Sequence, residues 1–332
     1  MRENRTHVAS ANIARNRVAL CVRPLVASVA VAYEDPLAYL VGVEGLALLR
    51  TFGEGCEQEF VDARLTEVRR LIGARDQFGP PVEVEHPEVN VCYRAWAPAY
   101  DSPDNAAFGL EEPQVWAILD DLPAGQALDA ACGTGRHSAR LLTRGHQVIG
   151  VDASPDMLVR ARVNVPDVDF REGDLGALPV ADNAVDVVVC ALALAHLADL
   201  APVYTEFARV LRAGGHLIVS DVHPEAVLRG SQPAVRIDGR PARIRNYRHH
   251  AADHLGPALQ CGFEVAGCVE PRSPAASADT PPTTKPGPWD TWPWSLAPMI
   301  PEAAAAASDE EPAMVVWHYR MFGTRAGRCR PR

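Results

Sequence analysis

The chain has no cysteine pair at C-x-x-C spacing, no uninterrupted run of eighteen apolar residues and no surplus of basic charge. Each absence removes a class of protein. The eight cysteines stand apart, at positions 21, 56, 92, 132, 190, 261, 268 and 329, so neither a disulfide framework nor a zinc site is expected and a reducing cytoplasm is the natural compartment. Without a long apolar run, no transmembrane helix is expected. A formal net charge of -10 argues against broad binding to nucleic-acid phosphates or to an anionic membrane. No histidine has carboxylate or cysteine neighbours at ligand spacing, so no metal is expected.

What is present is concentrated in two stretches. Residues 127–138 read ALDAACGTGRHS and residues 147–154 read QVIGVDAS. An apolar run reaches a carboxylate, Asp129, and breaks into a small-residue loop through Ala131, Gly133 and Gly135. A polar-headed helix follows, then a second apolar run ending in Asp152. Strand, glycine turn, helix, strand and acid together hold a nucleoside-bearing cofactor at the carboxyl ends of parallel strands. Dinucleotide binders place a third glycine where Ser138 stands here. Asp129, just before the loop, would repel a pyrophosphate and attract an ammonium. S-adenosylmethionine (SAM) offers an ammonium and a ribose diol and no phosphate.

The remaining chain is organised around that unit. Residues 1–34 carry five arginines in the first thirty-two positions followed by a short apolar stretch, and read as a disordered leader. Residues 35–76 show helical spacing and form an extension, a helical hairpin that needs the main domain or a second copy of the chain as partner, so a homodimer through these helices is one expectation. Residues 77–90 read as a linker. Residues 91–323 form the main α/β domain and 324–332 a tail. Seven strand-like runs (127–131, 147–151, 168–172, 184–190, 216–221, 263–270 and 314–322) alternate with helical ones, which predicts a mainly parallel sheet covered on both faces and closed by an antiparallel edge pair. Two segments interrupt the plan: 223–250 holds six arginines around an Asp238-Gly239 hairpin signal, and 271–312 is proline- and alanine-rich, with a composition suggesting extended or mobile backbone.

The loop pattern acid-x-small-x-Gly-x-Gly at 129–135 resembles motif I of class I SAM-dependent methyltransferases, and further stretches extend the likeness to the type 11 (ubiquinone/menaquinone-methyltransferase-like) group over about residues 90–270. Residues 93–101, YRAWAPAYD, are similar to the group's lead-in motif, which implies that Tyr93 and Tyr100 lie against the cofactor. Residues 151–158, VDASPDML, resemble the post-I motif, implying Asp152 and Ala153 at the ribose and Met157 on the adenine. Gly173-Asp174-Leu175 resembles the adenine-binding turn, and 184–197 resembles motif IV, whose strand end at Cys190 and Ala191 would contact the methionine part of SAM. The resemblance also implies a Rossmann-like seven-stranded sheet in the order 3-2-1-4-5-7-6. Ala131 departs from the family, which often has glycine there, and leaves the carboxylate tail of SAM less room.

Methyl transfer from a sulfonium needs the nucleophile held in line and, for a hydroxyl, a base within hydrogen-bond reach. His196, after the fourth strand, and His223, after the fifth, are the candidates, because both follow strand ends on the ligand side and histidine titrates near neutrality. Arg245 and Trp292, in the two divergent segments, are candidate substrate contacts. The function expected is SAM-dependent methylation of a small-molecule acceptor, foremost O-methylation of a specialised metabolite, with no nucleic acid or membrane as partner. Transfer to carbon or nitrogen, or a SAM-binding enzyme with non-methylating chemistry, is the alternative.

Overall fold

In the computed structural model, which describes residues 32–101, 105–272, 296, 299–308 and 312–322, a seven-stranded sheet carries the molecule. In chain order its strands are β3 (Gln126–Ala130), β4 (Gln147–Asp152), β5 (Asp169–Glu172), β6 (Val185–Ala191), β7 (Leu211–Val222), β10 (Phe263–Val269) and β11 (Met314–Met321). They lie in the order β10-β11-β7-β6-β3-β4-β5, which is the order the resemblance implied. The central pairs are parallel, with Asp129 opposite Gly150 on one side and Val189 on the other. β11 runs antiparallel to both β7 and β10.

The strand sequences explain this placement. β6 reads VDVVVCA and is buried almost throughout, as a central strand covered on both faces must be. One layer over the sheet is built from α7 (Ala201–Val210) and α9 (Ala251–Gln260), whose Tyr204, Phe207 and Ala258 meet Leu128, Val188 and Tyr319. The opposite layer brings Val115 and Leu119 of α4 (Ala106–Asp120), Leu141 of α5 (Arg136–Thr143) and Leu158 of α6 (Pro155–Asn164) onto Ala127, Val187 and Ile218.

The extension is two helices, α1 (Pro36–Glu54) and α2 (Gln58–Gly73). Asp35 caps α1 by accepting from the Leu37 and Ala38 amides, and Pro36 fits the first turn because its missing N–H has no helical partner there. The apolar face of α1, with Leu37, Leu40, Val43 and Ala47, packs on Leu71 of α2 and on Ile300, Ala303 and Ala307 of this same chain. The last two belong to α10 (Pro301–Ser308), so part of segment 271–312 is helix where composition suggested extended backbone. Arg64 ties the three helices together, meeting buried Glu44 at 3.3 Å and also pairing with Glu302.

Residues 77–90 are more than a connector. They contain β2 (Val82–Val84), which pairs antiparallel with β1 (Ala32–Glu34), and Glu85 bridges to Ala242 of the neighbouring hairpin. That hairpin, β8 (Ala234–Ile237) and β9 (Arg240–Arg243), turns at Asp238-Gly239 with φ of 50° and 79°, the backbone an Asp-Gly turn supplies. Its Arg243 is buried and meets Glu34 at 2.8 Å, so this arginine is a structural tie. Trp289, Trp292 and Trp294 lie outside the described residues, as do 1–31. No helix of the described residues is long and apolar enough to cross a membrane.

Candidate active site

The carboxyl ends of β3, β4 and β5 form one wall of a cleft. Between β3 and α5 the chain turns so tightly that Ala131, Gly133 and Gly135 all take positive φ, of 59°, 54° and 88°. At Gly135 a Cβ would press within 3.2 Å of Phe170 and Val165, so backbone and space both demand glycine. Ala131 accepts the left-handed conformation at a cost of about 1 kcal/mol. The loop is pinned to the next strand: the Cys132 amide donates to the Val151 carbonyl at 2.9 Å and the Gly133 amide to Asp152 Oδ2 at 2.8 Å.

Two acids face this loop. Asp129 is almost wholly buried and accepts from Ser138 Oγ at 2.6 Å; burial raises its pKa, against the pull of His137, Ser138 and Arg136. Asp152 accepts one amide on each oxygen, from Gly133 and from Ser154, both at 2.8 Å. Burial raises its pKa too, opposed by those two amides. A carboxylate has about four lone-pair sites, so each oxygen retains capacity for a ribose hydroxyl. Tyr100 closes the loop from above, since a Cβ on Gly133 would lie 3.7 Å from its ring. Beyond it, Met157 is buried at the head of α6, and the turn Gly173-Asp174-Leu175 follows β5, with the Gly173 amide on the Asp152 carbonyl at 3.1 Å and Asp174 exposed. Ala153 is exposed, and its carbonyl accepts from Asn90 at 3.3 Å. Cys190 is buried in β6 and Ala191 ends that strand. The residues present fit SAM: two carboxylates, Asp129 and Asp152, for an ammonium and a diol, beside a glycine loop.

The neighbouring space, over the ends of β6 and β7, is a cavity of about 430 Å³. Its wall is mainly apolar and aromatic, and it draws on Tyr39 and Val43 of α1, Tyr93 of α3 (Val89–Trp96), His196, Asp221 and Ala307 of α10. Tyr93 stacks on Trp96 at 5.9 Å and leans on Tyr100 at 6.1 Å. His196 hydrogen-bonds Tyr93 at 2.8 Å, and burial lowers its pKa, with a backbone carbonyl opposing.

The other expected contacts fall elsewhere. His223 caps α8 (Pro224–Leu228), its Nδ1 accepting from the Glu225 amide at 3.2 Å and its Nε2 lying 3.5 Å from Glu270, and it does not line the cavity. The Arg245 side chain is exposed, and only its carbonyl reaches the site, through His196 at 3.0 Å. Asp221, two residues before His223, is not among the residues expected from sequence. Asp221 is buried in the cavity wall, accepts from the Ala195 amide at 2.5 Å and the Val222 amide at 2.7 Å, and burial pushes its carboxyl up to about 7. The signal was available, because Asp221 ends an apolar strand on the ligand side as Asp152 does. No cluster of three or more metal-ligating side chains occurs among the described residues.

A mainly parallel sheet in this order, with a glycine loop and strand-end acids at its carboxyl edge, defines a class I methyltransferase fold. Comparison with known proteins finds the methyltransferase domain Methyltransf_11 over residues 128–219, and the curated relatives that match are named as methyltransferases. It is 33% identical to the demethylmenaquinone methyltransferase of Renibacterium salmoninarum over 143 residues, 41% of this chain and 60% of that protein. It is 29% identical to the malonyl-[acyl-carrier protein] O-methyltransferase of Yersinia pestis over 189 residues, 53% of this chain and 70% of that one. The first of these matches thus spans less than two thirds of the relative's length. Among solved structures, a chain of the complex between the Haloferax volcanii Trm112 methyltransferase activator and a methyltransferase aligns with a TM-score of 0.55 at 21% identity, covering 72% of this chain and all of that chain, a likeness of fold.

Proposed function

We propose that this protein transfers the methyl group of SAM to an oxygen of a small-molecule acceptor, a specialised metabolite seated in the cavity over β6 and β7. The observation that carries this reading is the cavity itself. It reaches the glycine loop through Tyr100, which lines it and lies over Gly133, has a mainly apolar wall, and is roofed by α1 and α10, two segments outside the sheet-and-helix core. When bound, SAM supplies an electrophilic methyl on a positively charged sulfur.

The rest is done by the chain. Asp129 takes the ammonium and Asp152 the ribose diol, fixing the cofactor at both ends. Tyr93 and Tyr100 wall the passage between cofactor loop and cavity, and Met157 supports the adenine side. α1 and α10 exclude water, which helps align acceptor oxygen and methyl, the main source of acceleration in such a displacement. His196, neutral at neutral pH because burial lowers its pKa, provides the base on this side of the site. The aromatic wall, with Tyr39, Tyr93, Trp96 and Tyr100, favours a flat acceptor. Of the relatives, the Yersinia protein is an O-methyltransferase by name, in keeping with oxygen, while the Renibacterium protein is named for a quinone precursor.

The test is incubation of the purified chain with methyl-labelled SAM and a panel of hydroxylated aromatic and polyketide-like acceptors. Release of S-adenosylhomocysteine with the label on oxygen is expected. Tight SAM binding with no release from any acceptor would overturn the transferase reading. A label found on carbon or nitrogen would overturn only the choice of oxygen.

A further inference from the structure

His196 has already committed both ring nitrogens. It sits on the 3₁₀ turn Leu194–His196, with Nδ1 3.0 Å from the Arg245 carbonyl oxygen and Nε2 2.8 Å from the Tyr93 hydroxyl. A carbonyl only accepts, so Nδ1 carries the hydrogen. Burial keeps the imidazole neutral and the phenol protonated, so Nε2 holds the lone pair and Tyr93 donates to it. The imidazole then has no position left for an incoming hydroxyl. The basic atom offered to the cavity is the Tyr93 oxygen, whose own lone pairs are not used by that bond.

The arrangement is held from several sides. Tyr93 packs against Trp96, Tyr100 and the edge of His196, the last at 5.6 Å and 75°. The turn carrying His196 is fixed by Asp221, which accepts the Ala195 amide at 2.5 Å. Arg245 enters only through its carbonyl, a contact that no side-chain pattern could reveal.

We propose that Tyr93 is a catalytic residue, relaying the proton of the acceptor hydroxyl to His196. The inference rests on methyl transfer to oxygen as the reaction. As the acceptor O–H bond breaks, its proton passes to the Tyr93 oxygen and the Tyr93 hydrogen passes to His196 Nε2. The electron pair of the acceptor oxygen forms the new O–CH3 bond, and the CH3–S bond breaks with its pair left on sulfur. The positive charge lost from sulfur appears on the imidazolium, whose Nδ1–H stays on the Arg245 carbonyl. The Nε2 proton leaves to water after product release, and no oxidant or further reactant is needed. This gives Tyr93 a role beyond the cofactor contact that the family resemblance implied.

The tautomer is read first, by NMR of the full chain labelled with ¹⁵N-histidine at neutral pH. Nδ1 is expected to be protonated and Nε2 not, and Tyr93→Phe is expected to move the Nε2 resonance; a proton on Nε2 would sink the relay whatever the acceptor. Single-turnover transfer is then compared at mildly alkaline pH on 4-methylphenol, which is protonated there, and 4-nitrophenol, which is largely ionised there. Tyr93→Phe is expected to cost about 10²-fold or more on the protonated phenol, the usual worth of a proton-transfer group, and little on the ionised one. His196→Asn, which keeps a donor for the Arg245 carbonyl, and the double variant should show the same loss as Tyr93→Phe. Equal loss on both phenols, or a tenfold weaker affinity for S-adenosylhomocysteine by calorimetry in Tyr93→Phe, would make Tyr93 a structural or cofactor contact only. If the tautomer is as expected but labelled methyl is found on carbon or nitrogen, the oxygen reading fails separately.

Discussion

The two halves of the cleft are built by different means. The cofactor half is backbone: a loop with three positive φ angles, amides aimed at Asp152 and a turn after β5, all within residues 128–175. The half proposed for the acceptor is side chains gathered from across the chain, among them Tyr39, Tyr93, His196, Asp221 and Ala307. Backbone geometry tolerates little change, because a Cβ at Gly135 or a charge lost at Asp152 disturbs the whole turn. A wall of side chains can be re-cut one residue at a time.

The comparison can be broken at its rigid side first. Asp152→Ala is expected to weaken SAM binding about a hundredfold or more, as loss of two charge-assisted hydrogen bonds at about 1.5 kcal/mol each would, and calorimetry on the purified variant measures it. An affinity within a fewfold of wild type would mean that the loop and not the acid holds the ribose. On the adaptable side, Ala307→Leu intrudes on the cavity from α10 and should raise KM for a bulky acceptor about tenfold. The Kd for SAM should stay where it was; a parallel loss of cofactor affinity would show that the halves are not separable.

The third expectation concerns Asp221, where burial raises the folded pKa to about 7 from an ordinary value near 3.8. Between those values the folded state binds a proton that the unfolded chain has released. This contribution to stability is therefore full at acid pH and is lost as pH rises towards and through about 7. Thermal melts across pH 5–8 should show wild type losing stability relative to Asp221→Asn, which cannot ionise. Parallel curves would place Asp221 in an ordinary carboxylate environment. The smallest effect is at Ala131→Gly. Relief of a left-handed alanine, about 1 kcal/mol, is offset by the glycine's unfolded-state entropy of about 0.4–1 kcal/mol. The melting temperature should shift by no more than a degree or two with SAM binding intact.

The same division decides what could be read in advance. Strand order, the paired acids and the glycine loop were legible because they are contiguous and periodic. The acceptor side was legible only in part. His196, expected from its place after a strand end, lines the cavity. His223 was chosen by the same logic, yet its ring is consumed in capping a five-residue helix. Asp221 was hidden beside it, inside a strand whose apolar character drew attention away from its one acid. α10 was missed because prolines dominate its surroundings, although five consecutive alanines behind Pro301 are strong helix formers. β1 and β2, at three residues each, are too short to show a period.

The roof over the cavity has a consequence for how the molecule comes into being. The cofactor half closes through βαβ units whose partners are near in sequence, whereas the roof depends on pairs such as Arg50 with the Ala306 carbonyl, 256 positions apart, and Arg64 with Glu302, 238 apart. Long loops close late, because their entropy is lost before their contacts are gained. On this ground the rim is expected to form before the roof, which closes only when segments more than two hundred positions apart meet.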